Sequence, residues 1–111
     1  MTKIPFERGS GNVFADIGFS PTEAAELTAK STLIIAIKDA VARRKLTQQE
    51  AAELCGTDQP TLSKVVRGRM ESVTIDRLAS WLNALGHDVE ITIKPAPRSR
   101  RQGRLRVVEA A

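Results

Sequence analysis

The stretch TQQEAAELCGTDQPTLSKVVRG, residues 47–68, constrains this chain more than any other. It opens on Thr47-Gln48-Gln49-Glu50, a capping box in which a threonine side chain and a glutamate three residues later each satisfy a free helix-start amide. Ala51, Ala52, Leu54 and Cys55 follow at helical spacing, and Gly56 interrupts. Asp58 then caps a second short helix, in which Pro60 falls in the first turn, where its missing N–H had no intrahelical acceptor. At about 100° per residue, Leu62, Val65 and Val66 share one side of this helix, and Gln59, Pro60, Ser63, Lys64 and Arg67 gather roughly opposite. Ala52 and Gly56 leave room for the two helices to cross closely. The pattern predicts two short helices joined by a tight turn, the second held by three aliphatic side chains.

The flanks supply the remaining elements. Ser20-Pro21-Thr22-Glu23 is another capping box, with proline at the first helical position, and Leu27, Ile34, Ile37 and Val41 continue at helical spacing to the cationic end Arg43-Arg44-Lys45. Ser31-Thr32 leaves open whether residues 20–44 form one helix or two. Thr74 caps a helix carrying Ile75, Leu78, Ala79, Leu82 and Leu85, which ends at Gly86. Then the period changes to two. Val89, Ile91 and Ile93 alternate with polar residues, the pattern of a half-buried strand. Such a strand needs a partner, either the region around Gly11 to Phe19 or the same strand of a second subunit.

Composition narrows the class. The 111 residues suit one domain. A lone Cys55 allows no internal disulfide, no apolar run approaches the roughly 20 residues of a membrane span, and the N-terminus lacks a signal-peptide pattern, so a cytoplasmic protein is expected. The net charge is +4. Residues 95–111 carry five arginines (Arg98, Arg100, Arg101, Arg104, Arg106) against Glu109, which leaves twelve charges of each sign in the rest of the chain. Attraction to a polyanion by the folded body must therefore come from a local face. The face opposite Leu62 and Val65 qualifies, since no carboxylate follows Asp58 on it. We divide the chain into an N-terminal arm (1–19), a helical domain with its strand (20–94) and a basic disordered tail (95–111).

The residues of TQQEAAELCGTDQPTLSKVVRGR resemble the helix-turn-helix of the lambda-repressor-like, or Xre, family of DNA-binding proteins. GNVFADIGFSPTEAAEL before it and TIDRLASWLNALGHDVEITIKP after it are similar to the small HigA-type antitoxins of type II toxin-antitoxin systems. The resemblance implies an all-α, lambda-repressor-like bundle that, with the short C-terminal strand, forms a homodimer. It implies binding to a palindromic operator, repression of the chain's own operon and neutralisation of a RelE/HigB-like ribonuclease toxin. A stand-alone repressor is the alternative. Residue by residue, Gln48 corresponds to a phosphate-clamping glutamine that can brace Gln59. Gln59 is then the leading base reader, with Lys64 and Ser63 able to reach base edges and Pro60 a thymine methyl. Thr61, Arg67 and Arg69 are assigned to the DNA backbone. Asp58 departs from the small polar cap common in the family and places a negative charge beside phosphates.

Other residues carry less. No nucleophile stands with a base, no glycine-rich phosphate loop occurs, and His87 has no ligand-spaced companion, so no enzyme, metal or cofactor is expected. Cys55 reads as a small core residue. Trp81 reads equally as the edge of the core or as a dimer contact.

Overall fold

The computed structural model describes residues 13–110, so residues 1–12 of the expected arm lie outside the described residues. Among the described residues five helices follow one another: α1 (Val13–Asp16), α2 (Pro21–Arg43), α3 (Gln48–Cys55), α4 (Gln59–Val66) and α5 (Ile75–Ala84), with a 3-10 turn, Met70–Ser72, before the last. The expected caps form. The Ser20 hydroxyl accepts from the Glu23 amide and the Glu23 carboxylate accepts from the Ser20 amide, both at 3.1 Å. Thr47 and Glu50 repeat the exchange at α3, at 3.0 and 2.8 Å.

Residues 21–43 are one helix, about 34 Å long at 1.5 Å per residue. Ser31-Thr32 does not break it. The Thr32 hydroxyl donates to the Thr28 carbonyl within the helix at 3.2 Å, and no glycine or proline lies between residues 22 and 43. The helix stops where Lys45 turns left-handed (φ 55°), with its amide on the Ala42 carbonyl and that of Leu46 on the Val41 carbonyl.

Against this axis the other helices close a core of Leu33, Ile34 and Ile37 from α2, Ala51 and Ala52 from α3, Leu62 and Val65 from α4, and Leu78, Trp81 and Leu82 from α5. Helix α5 lies along α2, α3 packs on both α4 and α5, and α4 meets α2. Trp81 is only 2% exposed, so it is a core residue rather than a surface anchor.

One expectation requires correction. Among the described residues there is no β-strand. After α5, Gly86 (φ 94°) and His87 cap the helix through bonds to the Asn83 and Leu82 carbonyls, and residues 88–94 then run without regular structure. Ile91 is 85% and Ile93 92% exposed. An alternating segment becomes a strand only when neighbouring amides and carbonyls are supplied. The nearest candidate does not supply them, because Val13–Asp16 is helical and Phe14 packs edge-on against Phe19, with ring centroids 6.1 Å apart. The basic segment from Pro95 also lacks helix and strand, yet it is not free of the domain. Val107 packs on the core, and Arg100, Arg104 and Leu105 cover a cavity of about 460 Å³ over Pro21, Ala24, Ala25 and Ile75.

Candidate nucleic-acid interface

Small side chains set the approach of α3 and α4. Ala51 and Ala52 are wholly buried and bring little bulk between the helices, and Gly56 turns the chain at φ 72°. The Gly56 amide bonds the Glu53 carbonyl at 3.2 Å and the Thr57 amide the Ala52 carbonyl at 3.0 Å, so the carbonyls at the end of α3 are satisfied as the chain reverses. A Cβ at Gly56 would meet nothing within 4 Å. Glycine is demanded there by the backbone angle, not by crowding.

Helix α4 begins as its sequence requires. Asp58 Oδ1 accepts from the Thr61 amide at 2.8 Å, and Pro60 occupies the first turn. Hydrogen bonds from Thr61, side chain then backbone, hold the Asp58 carboxyl below its ordinary value. Desolvation opposes this in part, and the charges of Lys64 and Arg77 add to the lowering. The negative charge that departs from the family pattern is therefore tied to the helix start and faces two cations.

Leu62 and Val65 seat α4 in the core, and its remaining side chains divide into three groups. Gln59 leans toward α3, where its Nε2 donates to Gln48 Oε1 at 3.0 Å, so the expected brace between the two glutamines is formed. Pro60, Lys64 and Arg67 are exposed, and Ser63 is half-buried. On the other flank, Thr61 and Lys64 open onto a cleft of about 230 Å³ shared with Ser72, Val73, Arg77 and Trp81. Arg69 is exposed in the segment that follows α4. The structure thus joins Gln48 to Gln59 and Thr61 to Lys64, with Arg69 standing apart beyond the helix.

Sequence reasoning missed Arg77 and Ser72. No local signal could have placed them beside Lys64, because their position depends on how α5 docks. The same holds for Lys30. This lysine is 6% exposed, and its Nζ donates to the Met70 carbonyl at 3.1 Å and pairs with Glu26 at 3.4 Å. Ser31 Oγ lies 3.3 Å from the Met70 sulfur. Together they fasten the 3-10 turn behind α4 to the long helix.

The half-buried Cys55 directs its thiol at the Trp81 carbonyl, 3.8 Å away, and burial pushes its pKa up. Among the described residues no three metal-ligating side chains gather, and no helix is long and apolar enough to cross a membrane.

Comparison with known proteins agrees with this arrangement. A helix-turn-helix domain family matches residues 13–94. A solved structure of a protein provisionally named an XRE family transcriptional regulator is 39% identical, covers 79% of this chain and 99% of its own, and superposes with a TM-score of 0.72. No curated protein sequence matches the chain.

Proposed function

We propose, from the premise that this chain belongs to the helix-turn-helix domain family and to its XRE-type transcriptional regulators, that it is an antitoxin that represses its own operon. Family membership makes it a DNA-binding regulator. The finer reading is that two copies present α4 to successive major grooves of a palindrome, roughly 34 Å apart, and that each copy also holds a RelE/HigB-like toxin in the cytoplasm.

The observation that carries the DNA half is the braced Gln59. A free glutamine side chain samples many rotamers, whereas Gln59 with its Nε2 on Gln48 has one edge fixed before any base arrives. The amide can then pair with adenine, Lys64 can donate to guanine, and Ser63 and Pro60 lie on the same side. Thr61, Arg67, Arg69 and Gln48 provide donors for the phosphates. Exposed Ile91 and Ile93 support the homodimer, since a second copy would take both from water.

Gln59→Ala tests base reading. Its affinity for the chain's own promoter duplex should fall by about 1–3 kcal/mol, with little change on random duplex, in anisotropy titrations at fixed salt. Equal losses on both duplexes would remove Gln59 as a reader. The antitoxin half rests on the sequence likeness of residues 11–27 and 74–95 to HigA-type proteins. It is tested by co-purification with the product of a neighbouring RelE-like reading frame. A chain that binds its promoter but no such product is the stand-alone repressor.

A further inference from the structure

We propose, resting on the DNA-binding reading above, that the cleft between α4 and α5 is a phosphate site, in which Arg77 and Ser72 join Lys64 and Thr61 around one backbone phosphate beside the groove. Arg77 and Ser72 lie outside the two helices of the motif, so this extends the interface onto α5 and the turn before it.

The chemistry of the walls points to an anion. Two cations, Lys64 and Arg77, line the cleft and no carboxylate does, while the Thr61 and Ser72 hydroxyls in its wall lean on Asp58 and, at 3.5 Å, on the Arg69 carbonyl. Among the described residues neither Lys64 nor Arg77 is held in an ion pair. The Arg77 guanidinium carbon sits 5.8 Å from the centroid of the Trp81 ring. Because that ring is fixed in the core, it positions the guanidinium through its face and leaves the N–H edges for oxygen acceptors. Val65 and Val73 close the inner side, where an apolar wall strengthens each hydrogen bond made to a charged oxygen. Asp58 is the nearby negative charge; it takes both the amide and the hydroxyl of Thr61 and attracts Lys64 and Arg77, so a phosphate in the cleft competes with it for the two cations.

A backbone phosphate is favoured over a free anion because Lys64 belongs to both surfaces. It lines the cleft and also stands on the exposed side of α4, so a duplex lying along α4 brings its sugar-phosphate edge to the cleft mouth. A planar fork from Arg77 suits two oxygens of one phosphate.

The test uses the full chain and its Arg77→Gln and Arg77→Lys variants, titrated by anisotropy onto the promoter duplex and a random duplex over a range of KCl. Loss of one phosphate contact should weaken Arg77→Gln on both duplexes alike, roughly eight-fold at 0.1 M salt, and lower the slope of log affinity against log salt by about 1. Arg77→Lys should keep the slope. An Arg77→Gln variant with wild-type affinity and slope overturns the proposal, as does weaker binding with an unchanged slope, which would mark Arg77 as a prop for Trp81. Trp81 is the only tryptophan, so its fluorescence reports on the cleft directly. Saturation of that signal by micromolar inorganic phosphate would make this a free-anion site and overturn the duplex assignment. A wild-type chain that binds neither duplex at low salt overturns both readings. If the wild type binds and Gln59→Ala loses discrimination while Arg77→Gln changes nothing, only the cleft assignment falls.

Discussion

Helix α4 and residues 88–94 are of similar length, and each carries three aliphatic side chains. In α4, Leu62 and Val65 are buried and Val66 packs at the core edge, whereas Val89, Ile91 and Ile93 all face outward. Apolar content does not separate the two. What separates them is whether a segment can satisfy its own backbone. Helix α4 closes its hydrogen bonds internally, and Asp58 takes up the free Thr61 amide at its start, so the helix docks on the core with its backbone supplied from within. An extended segment has no such internal supply and gains burial only by pairing with another chain segment.

Substitutions can break or sharpen this contrast. Leu62→Ala should cost about 2–5 kcal/mol in urea unfolding, because a fully buried leucine leaves a cavity at the seat of α4. Gly56→Ala should cost about 1–2 kcal/mol by the same measurement, since only the backbone angle is offended. Loss of more than that would mean that the α3–α4 crossing itself had shifted. Asp58→Asn should lower thermal stability near neutral pH. The folded Asp58 pKa lies below its unfolded value, so the wild type's advantage is present above the unfolded value and disappears as pH falls through the folded one. A variant gap that persisted in strong acid would show that the carboxylate's charge is not what supports the cap. Ile93→Ser should change the stability of a dilute monomer by less than about 0.5 kcal/mol, because nothing there is buried. A larger loss that grows with protein concentration would reveal a covering partner and so narrow the contrast to the single chain.

The same distinction explains which features could be read from the sequence. Ser20, Thr47, Asp58 and Thr74 each cap a helix within three residues of themselves, and all four do so in the structure. The Gln48–Gln59 brace was accessible too, because the turn at Gly56 sets two short helices against each other with little freedom. The continuity of α2 through Ser31-Thr32 could not be decided from local preference, and packing along α5 accompanies its outcome. Arg77 beside Lys64 depends on that packing as well. Val89, Ile91 and Ile93 gave a clear period of two, but a period states which faces would differ, not that a neighbour exists.

The clasp on Met70 has a mechanical meaning for the reading face. The turn after α4 is tied at its carbonyl and its sulfur to side chains roughly 40 residues earlier on the long helix, so it travels with α2. Helix α4 is therefore anchored at both ends, by its capped entry from α3 and by a leash to α2 at its exit. The tilt at which Gln59 and Arg67 are presented is thereby referred to the 23-residue α2 as well as to α3.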